Sequence, residues 1–221
     1  MTKKTAVVLT ALCALALPAT ASAQLGVAAR AGSLGVGGEV SYGLTRMLGV
    51  RAGIGFMPVT ISGTYGDLEY DVKPPETVWN IGVDVYPFGG GLRLSAGVLN
   101  RPEWTMEGVY TGSTTVGGQT YTGTVDLQAI LTNERQTAPY VSLGFGRASG
   151  RGMGFFMDLG GAFMGEGDIE LTGQCDSCPP SQQASFQSSV QAEEEQAEAD
   201  IREYVKIHPI LQLGFRFGLP F

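Results

Sequence analysis

The sequence predicts an all-β fold: an antiparallel, up-and-down β-barrel that crosses a membrane on about eight strands, with one helical segment in a long extracellular loop. Three observations predict it. Thirty-three of the 221 residues are glycine, roughly double the usual share of about 7%. Each glycine would weaken a helix interior by about 1 kcal/mol relative to alanine. Apolar residues alternate with small or polar ones along nearly the whole chain, which is the period of a strand. Finally, the chain opens on an export-like segment and then contains no apolar run of about 18 residues that could span as a helix.

The export segment comes first. Lys3 and Lys4 form a basic start, Thr5 to Leu17 is apolar and uncharged, and Pro18 breaks the run. Ala21-Ser22-Ala23 then gives a small-x-small cleavage pattern before Gln24. This reads as a secretory signal peptide over residues 1–23. The run is too short to cross about 30 Å of hydrocarbon, so an anchor helix is not expected. Leu12 precedes Cys13 where a lipid-attachment signal needs a small residue, so lipidation is not expected either.

Cleavage leaves residues 24–221 as one domain. It removes two of the 14 basic residues and none of the 21 acids, so the net charge moves from −7 to −9. An acidic chain is a poor nucleic-acid binder, which needs a basic patch. One histidine and two remaining cysteines leave little for a zinc or iron site, and no cofactor or metal is predicted. Export without a helical anchor leaves a soluble secreted protein or an outer-membrane barrel.

The strands decide between these. Val27, Ala29 and Ala31 lie opposite Ala28 and Arg30, followed by a tight turn at Gly32-Ser33. Residues 25–44 could also be read as one long strand with a glycine kink. From Leu34 the apolar set is Leu34, Val36, Val40, Tyr42 and Leu44, against Gly37, Glu39, Ser41 and Gly43. From Leu48 it is Leu48, Val50, Ala52, Ile54 and Phe56, against Gly49, Arg51, Gly53 and Gly55. From Trp79 it is Trp79, Ile81, Val83 and Val85, against Asn80, Gly82, Asp84 and Tyr86. The segments from Leu92 and from Pro139 behave likewise. Met153, Phe155, Met157, Leu159 and Phe163 share a face with Asp158 opposite. In the last segment Val205, Ile207, Pro209, Leu211, Leu213, Phe215, Phe217, Leu219 and Phe221 oppose Lys206, His208, Gln212, Gly214, Arg216 and Gly218, with Ile210 as the exception.

A soluble sandwich also alternates, but its apolar face covers a thick core. Here the other face is mostly glycine, serine and isolated charge. That suits a narrow barrel turned inside out, with lipid outside and a crowded polar lumen. The segments, at 11 or more residues, also exceed the usual five or six of soluble strands and suffice to cross a bilayer when tilted. Thr45-Arg46-Met47, Phe88-Gly89-Gly90-Gly91 and Ser149-Gly150-Arg151-Gly152 are tight turns. The stretches 61–76, 108–136 and 172–203 are long and polar. Short periplasmic turns and long outer loops are the outer-membrane pattern.

With the signal segment, the alternating strands, the Pro-Phe-Gly-Gly-Gly turn from Pro87 to Gly91 and a terminal strand ending in phenylalanine, the chain resembles small eight-stranded outer-membrane proteins of Gram-negative bacteria, the OmpA-type and OmpW-type barrel class. The resemblance spans the mature chain. It implies that Phe215, Phe217, Leu219 and Phe221 form a C-terminal signal for the barrel-assembly machinery. It also implies periplasmic chaperones during biogenesis and a lipopolysaccharide-containing membrane as the setting. A monomer is expected.

Chemistry is sparse. The lumen charges are Arg30, Glu39, Arg51, Asp84, Arg93, Asp158 and Arg216. Charges in so narrow a space must pair or stay wet. The expected role is a salt-bridge ladder that fills the barrel, with a narrow porin-like path for small solutes as the alternative. A lipid-modifying enzyme is a further, weaker alternative. His208 is the only histidine and has no serine two positions away on its face, whereas a nucleophilic site needs a base within reach of its serine. Nothing selects a pair from Asp67, Asp71, Asp84 and Asp168, so no catalytic residues are assigned. Cys175 and Cys178 stand in a CxxC without a second CxxC, and a small-loop disulfide is expected in an oxidising envelope. Gln182 to Glu203 is the one helical stretch, with a loose apolar stripe of Phe186, Val190, Ala197, Ile201 and Tyr204. It is expected to rest on the barrel rim, with carboxylates that could share divalent cations with lipopolysaccharide phosphates. The Thr/Gly-rich stretch 111–124 reads as a flexible loop or a hairpin.

Overall fold

The computed structural model describes residues 24–65, 68–147, 152–176, 178–201 and 206–219. The expected signal peptide and Phe221 lie outside these residues. Eight strands close into an antiparallel barrel. They are β1 (Gln24–Gly32), β2 (Val36–Gly43), β3 (Leu48–Phe56), β6 (Thr77–Val85), β7 (Leu92–Asn100), β10 (Thr137–Phe145), β11 (Gly152–Phe163) and β13 (Ile207–Leu219). Among the described residues no helix is long and apolar enough to cross a membrane.

The predicted strands are all present, and the weakest expectation resolves as two strands. β1 pairs with β2 on one side, Ala28 opposite Glu39, and with β13 on the other, Val27 opposite Phe217. The barrel closes through β1. Along each barrel strand exposed and buried residues alternate, as in the Thr77–Val85 and Thr137–Phe145 strands. The exposed set is the apolar one: Val36, Phe145, Leu159 and Phe215 are 67%, 63%, 59% and 60% exposed. A continuous apolar outer surface on a water-soluble protein would be an aggregation hazard, whereas facing hydrocarbon it costs nothing.

Leu34 departs from expectation. It belongs to the turn between β1 and β2 and points inward, 2% exposed. The Thr45 turn is held as its sequence implies, with Thr45 Oγ1 accepting hydrogen bonds from the N–H groups of Met47 and Leu48.

The long polar stretches hold more structure than expected. β4 (Ile61–Tyr65), β5 (Leu68–Lys73), β8 (Trp104–Val116), β9 (Gln119–Asn133) and β12 (Gly167–Asp176) form a second, five-stranded sheet in the order β12-β9-β8-β5-β4. All five lie in connections leaving the same end of the barrel. The stretch 111–124 is the tip of the β8–β9 hairpin. Gly117 and Gly118, at φ of 55° and 76°, take the left-handed turn positions that side chains disfavour.

Helix α1 (Pro180–Ile201) matches the predicted helical stretch within two residues at its start. It packs on β12 and β8 and not on the barrel rim. The reason is local. Phe186 and Val190 bury against Val116, Tyr121 and Val125 of the sheet, and Tyr121 meets Phe186 edge-on with ring centroids 5.0 Å apart. Glu193 accepts from the Gly117 N–H at 2.8 Å and Glu194 from the Leu171 N–H at 2.8 Å. The expected disulfide joins Cys175, near the end of β12, to Cys178, just before the helix. Ala197 is half-buried, while Tyr204 lies outside the described residues.

Candidate functional site

The site is the barrel lumen, and it is built by the inward half of the alternation. Six of the seven predicted charges meet there in one network. Arg51 on β3 is the hub. Its guanidinium lies 2.8 Å from Asp158, 3.1 Å from Asp84 and 3.7 Å from Glu39. Arg93 on β7 donates to Asp158 at 2.6 Å and lies 3.9 Å from Asp84. Arg30 on β1 lies 3.4 Å from Glu39. The three cations and three anions balance, and each of the six side chains is at most 4% exposed. Taking ions from water is costly unless each meets an opposite charge, as all six do here.

Neutral groups complete the layer. Arg30 donates to Asn80 Oδ1 at 2.7 Å, and Ser95 donates to Asp84 at 2.7 Å. Arg51 also reaches Ser142 at 3.4 Å. Asn80, Ser95, Tyr140, Ser142 and Gln212 are lumen residues that a search restricted to charges passes over, although the alternation places each on the inner face.

Glycines make the room. A Cβ on Gly53 would strike the Arg30 guanidinium, and one on Gly144 would strike both Asp158 and Arg93. Arg216 lies apart from the hub, toward the turn end, with its Nε 3.0 Å from where a Cβ on Gly154 would stand.

Both mouths are filled. At the sheet end Leu34, Val78, Leu99, Ala138, Tyr140, Ala162, Met164 and Ile210 form a buried apolar layer. This explains Ile210, the one break in the alternation of β13: it faces inward as part of that layer. Toward the turn end Phe156 is fully buried under Arg93, whose guanidinium carbon lies 5.1 Å from the ring centre. Arg147 covers Tyr86 at 5.2 Å and donates to the Gly89 carbonyl at 2.8 Å. Between the apolar layer and the hub remains a void of about 10 Å³ bounded by Arg30, Asn80, Tyr140 and Gln212 among others. That is room for about one water molecule.

Of the residues weighed for catalysis, those described stand in different parts of the fold. His208 is half-buried at the sheet end and bonds to the Ser33 backbone, while the Ser33 hydroxyl accepts from the Leu211 N–H at 2.9 Å. Asp84 belongs to the charge network. Asp71 and Asp168 sit on β5 and β12, with β8 and β9 between them, and Asp67 lies outside the described residues. Among the described residues no group of three His, Cys, Asp or Glu is disposed to hold a metal ion. Glu193 and Glu194, two of the helix acids offered for cation binding, instead pin the helix to the sheet. Arg101 was not foreseen, because it follows β7 where the alternation ends. It donates to Asn133 at 2.5 Å and lies over Trp104. Burial pulls its guanidinium below the ordinary arginine value, which still leaves it charged.

No protein-family model and no curated protein matches this chain. Solved structures do, among them two barrels of one organism. CarO of Acinetobacter baumannii superposes with a TM-score of 0.64 over 89% of this chain and 98% of its own, and CarO2 of the same organism with 0.65 over the same shares. The chain folds like CarO. At 19% identity to each, the likeness to CarO concerns the fold alone, and the lumen chemistry rests on this chain's own residues.

Proposed function

We propose that this protein is an integral outer-membrane β-barrel with a closed lumen, serving a structural or surface-interaction role and catalysing no reaction. The filled lumen carries the reading. Arg51 bridges three carboxylates, and the void between the network and the apolar layer measures about 10 Å³. A hydrated solute has no path through it. The apolar outer surface supplies the contact with lipid, and the turn end, with its short connections, is assigned to the periplasm. The five-stranded sheet and α1 then stand outside the cell, beside lipopolysaccharide.

Phe215, Phe217 and Leu219 lie on the lipid side of β13, where an assembly machinery and periplasmic chaperones would meet them before insertion. Export by a cleaved segment over residues 1–23 belongs to the same reading, as does a monomeric state. Refolding the mature chain into lipid vesicles tests it. A heat-sensitive gel shift together with no uptake of small sugars is expected. Soluble fractionation without a shift, or rapid vesicle swelling in sugar, would overturn it.

A further inference from the structure

The two edges of the five-stranded sheet are treated differently. At β12, helix side chains occupy the edge: Glu194 accepts from the Leu171 N–H, and Gln187 donates to the Gly173 carbonyl at 3.1 Å. At the other edge stands β4, and among the described residues no strand pairs with its outer side. Its sequence, Ile-Ser-Gly-Thr-Tyr, carries no charge and no proline, the devices that usually blunt a bare edge. Tyr65 pairs with Leu68 across a two-residue loop, so the backbone N–H and C=O groups of Ser62 and Thr64 point away from β5.

Beside that edge lies a groove of about 340 Å³ whose walls include Ser62, Thr64, Glu69, Asp71 and Glu107. The register of β4, β5 and β8 puts these residues on one face. Glu107 is paired with Lys73 at 2.6 Å. Among the described residues, neither Glu69 nor Asp71 is paired with a cation. A strand added to β4 would place every second side chain on the same face as those two carboxylates, in the rows of Ser62–Asp71 and Thr64–Glu69 and two strand spacings, about 10 Å, from β5, a gap that a lysine stem leaning across β4 can span.

We propose that the β4 edge is a docking site for an extended, basic peptide segment of a partner protein, held by main-chain pairing to Ser62 and Thr64 and selected by Glu69 and Asp71. Main-chain bonds supply attraction and alternate side chains supply choice, as in other strand-addition sites. The proposal deepens the surface-interaction reading, and it is assayed separately from lumen closure.

The test uses the mature protein refolded in detergent micelles and two end-blocked octapeptides, one alternating lysine with threonine and one alternating glutamate with threonine. Fluorescence anisotropy should show saturable, salt-weakened binding of the lysine peptide and none of the glutamate peptide. Ser62→Pro removes one outward N–H at an edge position where proline is tolerated, and it should weaken the lysine peptide by about tenfold while keeping the heat-sensitive gel shift. The pair Glu69→Lys and Asp71→Lys should reverse the preference. No binding of either peptide, equal binding of both, or an unchanged affinity in a folded Ser62→Pro protein would each overturn the proposal, as would self-association of the chain through β4. None of these outcomes bears on whether the barrel is closed.

Discussion

Replacing Arg51 by methionine removes the hub of the lumen while keeping a long apolar stem. Asp158 keeps Arg93 at 2.6 Å, and Asp84 keeps the Ser95 hydroxyl at 2.7 Å. Glu39 keeps only Arg30, at 3.4 Å. Two buried cations then face three buried anions. Breaking a buried ion pair on one side costs about 3–5 kcal/mol, because the surviving charge is stranded. The R51M barrel should therefore be less stable by about that amount. A second change, Glu39→Gln, restores the balance at two against two. The double variant should recover more than half of the loss, since an amide in place of the stranded carboxylate carries no uncompensated charge. Equilibrium urea unfolding in lipid vesicles, followed by the folded gel band, measures all three proteins. If R51M lies within about 1 kcal/mol of the parent, or if the two changes simply add, the lumen is wet enough to solvate its charges and the reasoning fails.

Other consequences follow from the same geometry. Gly53→Ala pushes a methyl into the Arg30 guanidinium and should cost about 1–3 kcal/mol by overpacking, read as a lower urea midpoint. Leu143→Arg places a charge on the outer face of β10, where Leu143 is 50% exposed. It should destabilise the vesicle-inserted barrel by about 2–4 kcal/mol if that position lies near the bilayer centre, and a cost near zero would put the residue in water. Changing both Cys175 and Cys178 to serine should leave barrel stability unchanged while speeding amide exchange in α1, because the bridge joins β12 to the start of the helix and touches no barrel strand.

The barrel was legible because a membrane strand with lipid on one side and a tight lumen on the other obeys a strict period of two. Arg51, Asp84 and Asp158 could be placed in one interior from that period alone, and so could the glycines that make space for them. Leu34 was placed on the wrong side because a turn residue is free of the period. The five-stranded sheet was harder to see. Its faces mix threonine, glycine and acids with only partial cover, so the pattern of Thr111 to Thr124 reads equally as loop. The helix was visible from composition, but its seat was not. Phe186 and Val190 have an apolar stripe that would suit any surface, and only the pairing of β8, β9 and β12 makes Val116, Tyr121 and Val125 that surface. Which charges would pair with which, and that Arg216 would sit apart from the hub, depends on heights along the lumen set by strand register.

Single-channel recording of the purified, refolded protein in a planar lipid bilayer tests the central claim most directly. With insertion verified by the heat-sensitive gel shift, the account predicts no unitary conductance steps in molar salt. Reproducible steps of uniform size from the parent protein would show an open path past Arg51 and contradict the closed lumen.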